Sequence, residues 1–155
     1  MAQLKEGAPA PVFSGKDQDG KSVSLEDFIG KKVILYFYPK DDTPGCTAEA
    51  CNLRDNYKSL LSKGFAIIGV SPDNEKSHTR FKSKYTLPFS LIADPEAKII
   101  KAYGAWGEKS MYGKKYEGVL RTTFVIDDSG KILKIINKVD TQDHTRQILE
   151  ELGIN

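Results

Sequence analysis

The chain is poor in the residues that build metal sites and covalent scaffolds. Among its 155 residues there are two cysteines and two histidines. That excludes a disulfide-stapled framework, which needs several cysteine pairs. Four-ligand zinc from two Cys and two His is formally possible, but the spacing of Cys46, Cys51, His78 and His144 fits no finger pattern. There is no C-x-x-C, the usual spacing of a disulfide-exchange site. Long apolar runs are also missing: none approaches the roughly 18 residues of a spanning helix. The opening "MAQLKEGAPAPVF" has no apolar core of a secretory signal. A cytoplasmic protein is the expectation, in which a cysteine pair serves transient chemistry rather than a staple. Charge of one sign is lacking too. A formal net charge of +2 offers no reason to expect nucleic acid or an anionic membrane as partner.

What is present is an ordinary globular composition, 39% hydrophobic and 28% charged. The length suits a single domain with a real core. Short apolar runs, rich in β-branched and aromatic residues and bounded by Gly, Pro, Asp or Lys, predict strands at 33–38, 65–70, 89–94, 123–127 and 131–136. "DSG" joins the last two as a hairpin turn. Helical patterns fall at about 44–62, 74–84 and 142–152, with shorter turns near 25–29 and 96–102. This order predicts an α/β fold, a central mixed β-sheet flanked by helices on both faces. The stretch from 33–38 through a helix to 65–70 reads as a parallel crossover.

Both cysteines lie in "YPKDDTPGCTAEAC", residues 38–51. Pro39 ends the first strand. Thr43 and Pro44 fit an N-cap followed by proline at the first helical position. Cys46 then sits in the first turn, near unpaired backbone N–H groups and the positive end of the helix dipole, an environment that stabilises a thiolate. Cys46, Ala50, Leu53, Tyr57 and Leu60 form one apolar stripe. Cys51 falls roughly 140° away from Cys46, on the polar face with Arg54, Asp55 and Lys58. In an intact helix the α-carbons of residues five apart are roughly 8.5 Å from each other, whereas a disulfide needs about 4.4–6.8 Å. If these two cysteines pair, the first turns must unwind. The neighbouring charges, Lys40, Asp41, Asp42, Glu49, Arg54 and Asp55, are mostly anionic and work against a thiolate. A cation from elsewhere is needed, and Arg121, before "TTFVID", is the candidate.

"PKDDTPGC" and "RTTFVID" together resemble the peroxiredoxin signature P-x-x-x-T/S-x-x-C and that family's second arginine segment. With a cysteine five places after the first, and with "WGEKSMYGKKYEGVLRTTFVID", the chain is similar to the Q type, or bacterioferritin comigratory protein, from about Gly7 to about Leu152. The resemblance implies a thioredoxin-like fold and thiol-based reduction of hydroperoxides, with no cofactor. It makes Cys46 the peroxidatic cysteine and Cys51 the resolving one. It makes Thr43 the hydroxyl that bonds peroxide and thiolate, Pro39 the shield against water, and Arg121 the guanidinium that holds both sulfur and peroxide. Thioredoxin or a similar dithiol is the implied reductant. The chain ends without the Tyr-Phe helix of over-oxidation-prone relatives, which implies resistance to sulfinic acid formation. A resolving cysteine on the same helix implies a monomer. Two other readings use the same residues: a protein disulfide oxidoreductase, and a redox sensor whose helix opening exposes a partner surface.

His78 and His144 are expected at the surface. "YGAWGEKSMYGKKYEG", carrying Trp106 and Tyr112, is expected as a long functional loop with a basic tip at 113–115.

Overall fold

The computed structural model describes residues 4–154. Its order is β1 (Ser14–Lys16), β2 (Ser22–Ser24), a 3₁₀ turn (Leu25–Phe28), β3 (Lys32–Phe37), α1 (Pro44–Asp55), α2 (Tyr57–Ser62), β4 (Phe65–Ser71), α3 (Glu75–Tyr85), β5 (Ser90–Ala93), α4 (Lys98–Ala102), β6 (Trp106–Met111), β7 (Lys114–Val119), β8 (Thr122–Ile126), β9 (Ile132–Ile136) and α5 (His144–Glu151). Seven strands form one mixed sheet in the order β2-β1-β5-β4-β3-β8-β9. β3, β4 and β5 run parallel, β8 pairs antiparallel with β3, and β9 pairs antiparallel with β8.

Strand alternation builds two cores. Val33, Leu35 and Phe37 point to one face, where Ile99 and Ile100 of α4, Tyr103 and Phe124 meet them. Ile34, Tyr36 and Tyr38 point to the other, against Ala50 and Leu53 of α1, Leu60 of α2, Phe81 of α3 and Ile148 of α5. The sheet and its two-sided helical cover therefore match the expected architecture. Gly69 in β4 is required by this packing: a Cβ there would lie 2.9 Å from Leu91 and from the Tyr36 ring.

Three expectations need correction. The helix expected over 44–62 is two helices, broken at Asn56, whose backbone leaves helical geometry at φ −107° and ψ 12°. The long loop is a separate two-stranded ribbon, β6 paired with β7. Its turn is Tyr112-Gly113, both at positive φ, the backbone a tight hairpin needs. Its strands are polar on both sides, so no apolar alternation betrayed them. The two histidines are not at the surface: both are fully buried.

Candidate functional site

Strand β3 ends under the site, and the segment 39–43 carries the chain to the start of α1. Two anchors fix that segment. Asp41 is buried and accepts from Tyr38 Oη at 2.6 Å, Ser77 Oγ at 2.8 Å and His78 Nδ1 at 2.7 Å, while its backbone N–H donates to Asp73. Asp42, in the left-handed region at φ 58°, accepts from Lys84 Nζ and Tyr85 Oη, both at 2.7 Å. These donors hold the Asp42 carboxyl below its usual range, Lys84 first. His78 was missed as a structural residue because its partner Asp41 lies 37 positions away in the chain.

Thr43 is the N-cap by conformation, at φ −94° and ψ 156°, with Pro44 following at the first helical position. Its side chain makes no cap bond. Instead its hydroxyl donates to the Lys40 carbonyl at 2.9 Å. Pro39 is half-buried directly after the strand. Cys46 is 1% exposed, in the first turn, on the stripe with Ala50 and Leu53.

Arg121, between β7 and β8, reaches this turn from 75 residues away: Nη2 donates to Cys46 Sγ at 3.2 Å. Nη1 donates to Glu49 Oε1 at 2.7 Å. Gly45 leaves the room for this, since a Cβ there would lie 3.3 Å from Arg121 Nη2. Burial works against the Arg121 charge, but Cys46 and Glu49 outweigh it, and the guanidinium is held more firmly protonated than usual. The anions expected to oppose a thiolate are therefore mostly spoken for. Asp41 and Asp42 are bound as above, and Asp55 pairs with Arg54 at 2.9 Å.

Glu49 is the residue the sequence reading undervalued. It is fully buried. It lies three places after Cys46, only about 60° around the helix, and that spacing was the available signal. Burial pushes its carboxyl up to about 7 in spite of Arg121. The two partners respond oppositely because Glu49 is completely enclosed while a quarter of the Arg121 side chain meets solvent. Glu49 Oε2 has no hydrogen-bond partner, and neither has the buried Tyr36 hydroxyl. Burial, then Glu49 and Cys46, push that phenol well above its usual value. His144 of α5 lies behind: Nε2 is 2.8 Å from Thr123 Oγ1 and 3.5 Å from Glu49 Oε2, and Nδ1 is 2.9 Å from Gln147 Oε1. Burial lowers His144 to about 4, so it is neutral.

Cys51 is half-exposed on the other side of α1. It opens on a depression of about 400 Å³ shared with Asp42, Pro44, Thr47, Ala48 and Tyr85. Burial raises its thiol, Arg54 lowers it and Asp55 raises it again, for a net rise. Both thiols are free and both lie in wound helix. Trp106 and Arg121 share a groove of about 870 Å³ with Leu120 and Phe124, whereas Tyr112 stands at the ribbon's tip, 98% exposed. Among the described residues no three His, Cys, Asp or Glu side chains converge as a metal site, and no helix is long and apolar enough to cross a membrane.

This arrangement aligns one enclosed sulfur with a guanidinium and a helix N-terminus, and leaves a second sulfur nearby but out of bonding reach. A profile of the AhpC/TSA family matches residues 7–135. The peroxiredoxin Bcp of Bacillus subtilis is 45% identical over 149 residues, covering 96% of this chain and 95% of that one. The peroxiredoxin Bcp of Escherichia coli is 44% identical over 152 residues, covering 98% and 97%. Among solved structures, a cysteine-to-serine variant of peroxiredoxin Q from Xylella fastidiosa matches with a TM-score of 0.91 at 27% identity, over 99% of this chain and 98% of that one. The bacterioferritin comigratory protein of Xanthomonas campestris, studied for alkyl peroxide reduction, matches with a TM-score of 0.85 at 32% identity, over 91% and 90%.

Proposed function

The chain belongs to the AhpC/TSA family as a peroxiredoxin of the Q, or bacterioferritin comigratory protein, type, and from that membership we propose the residues and steps of its cycle. It is a thiol peroxidase with the thioredoxin fold. In the proposed cycle the Cys46 thiolate attacks the terminal oxygen of a hydroperoxide. The O–O bond breaks, sulfur takes the hydroxyl as sulfenic acid, and the alkoxide or hydroxide leaves and takes up a proton. The single observation that carries this assignment is the Arg121 Nη2 bond to the buried Cys46 Sγ at 3.2 Å. The guanidinium and the first-turn N–H groups are fixed donors beside the charge that moves from sulfur to the departing oxygen. Thr43, at the N-cap, offers its hydroxyl oxygen to the peroxide while its own proton rests on the Lys40 carbonyl, and Pro39 restricts water from the β3 side.

Cys51 then attacks the Cys46 sulfur. The S–S bond forms, the S–O bond breaks, and the Cys51 proton leaves with the hydroxide as water. Both cysteines sit in wound α1, so the helix must open for this step. A dithiol such as thioredoxin returns the pair to thiols by exchange. Alkyl peroxide reduction by the Xanthomonas campestris relative supports organic hydroperoxides as substrates beside hydrogen peroxide. We assign the chain one catalytic domain working as a monomer, since both sulfurs come from one helix, and place it in the cytoplasm, where a cysteine pair serves transient chemistry rather than a staple.

One equivalent of hydrogen peroxide added to the reduced protein tests the cycle by intact mass and cysteine mapping. Rapid loss of two hydrogens at a Cys46–Cys51 link is expected. An unchanged dithiol would overturn the assignment.

A further inference from the structure

The segment that must unwind carries a buried acid with it. Glu49 stands between Cys46 and Cys51, fully enclosed, with Oε1 on Arg121 and Oε2 unpartnered. The groups that face it are Arg121 before β8, His144 on α5, Cys46 on its own helix and Tyr36 on β3. Of these only Arg121 is a cation, and it also serves the Cys46 sulfur. Arg121 reaches Oε1 alone, and a buried carboxylate whose second oxygen has no donor is costly to ionise.

The hydrogen bonds behind Glu49 fix where the proton lies. The Gln147 amide is oriented by two backbone partners: Nε2 donates to the Lys138 carbonyl and Oε1 accepts from the Asp140 N–H. Oε1 is thus an acceptor, so His144 donates from Nδ1. Neutral His144 then presents a lone pair at Nε2, which accepts from the Thr123 hydroxyl at 2.8 Å. Glu49 Oε2, 3.5 Å from that same lone pair, faces an acceptor. Two acceptors face each other without repulsion only if Glu49 carries a proton.

We infer that Glu49 is a proton-linked latch on α1, neutral while the helix is wound and ionised once the Cys46–Cys51 segment opens to water. Opening the helix for the second chemical step therefore releases up to one proton at pH between about 4.5 and 7. Glu49 acts through the helix and touches no substrate, so it is a positioning residue. His144 does not take up the proton, because its ring keeps Thr123 on β8 and Gln147 on α5, elements outside the segment that opens.

The inference rests on the proposed need for opening but can be tested without peroxide. The wound-state value of about 7 against an ordinary 4.5 sets the window. Above it the opening equilibrium is pH-independent, and within it opening rises about tenfold per pH unit, by no more than roughly 300-fold in all. The test is hydrogen exchange at the α1 amides of a Cys46→Ser protein, corrected for the intrinsic pH dependence of exchange. Protection should fall with rising pH across the window, and the slope should vanish in Cys46→Ser/Glu49→Gln. A pH-independent opening in the first protein overturns the inference, as does an unchanged slope in the second. If the double variant fails to fold, NMR titration of the Glu49 carboxyl decides. It should titrate near 7 in Cys46→Ser and near 4.5 in the disulfide form of the unsubstituted protein; equal values overturn the latch. If peroxide yields no disulfide form, the proposed cycle fails at that point, while the exchange data still decide the latch.

Discussion

Replacing Arg121 with methionine keeps most of its length and removes every donor. In the structure that deletes the 3.2 Å bond to Cys46 Sγ and the 2.7 Å bond to Glu49 Oε1 at once. A hydrogen bond to a charged group contributes about 1.5–3 kcal/mol, so losing the sulfur's share slows the peroxide step by roughly 10- to 150-fold. The departing oxygen loses a donor as well, which makes that range a lower one. Lysine should recover only part of the loss, because one ammonium cannot reproduce a planar fork spread over sulfur and carboxylate. The assay is rapid-quench mass spectrometry of Cys46 oxidation at neutral pH under excess hydrogen peroxide, giving a second-order rate for each protein. Urea titration alongside separates a folding defect from a chemical one. A folded Arg121→Met protein whose rate stays within about threefold of the original would refute the role given to this contact.

Cys51→Ser should still consume about one hydroperoxide per chain and then stop, as read by peroxide consumption with thioredoxin supplied; continued turnover would remove Cys51 from the cycle. Global unfolding should reveal two opposed proton linkages. His144, lowered from 6.5 to about 4, contributes stability above its unfolded value that is lost as pH falls toward 4, by roughly 3 kcal/mol. Glu49, raised from 4.5 to about 7, contributes in the opposite sense, with stability lost as pH rises toward 7. Urea midpoints of Glu49→Gln should therefore drop with acid and those of His144→Gln with base, while the parent is flatter than either; parallel profiles in all three would refute this. Gly69→Ala should cost about 1–3 kcal/mol by urea titration, because its methyl meets Tyr36 and Leu91 at 2.9 Å; an unchanged midpoint would show that the core can yield there.

Five of the seven strands of the sheet were legible because β3, β4, β5, β8 and β9 are short apolar runs between Gly, Pro and Asp, and local pattern alone identifies such strands, whereas β1 and β2, three residues each, were too short to show one. The ribbon β6–β7 was not, because beyond Trp106 and Val119 at its base it covers no core and its residues need not alternate. Helix α1 was readable up to its first turn: Thr43, Pro44 and Cys46 stand where the capping rules put them. What pattern could not supply were the long-range partners. Asp41 with His78, Thr123 with His144, and Glu49 with Arg121 are joined across the fold. A histidine among charged neighbours reads as exposed until the strand or loop that covers it is in place. Arg121 alone was anticipated, because the thiolate demanded a cation that its neighbours did not offer.

The chain around the two thiols is staked at both ends. Upstream, Asp42 is fixed to Lys84 and Tyr85. Downstream, Asn52, the residue after Cys51, accepts the Thr145 N–H at 2.8 Å and so is pinned to the start of α5. The span that opens in the proposed cycle is the short one between these stakes. A tether this short keeps its two sulfurs at high mutual concentration through every excursion, because the entropic cost of a loop grows with its length. In the proposed cycle the oxidised sulfur therefore meets its own neighbour more often than a second molecule of oxidant.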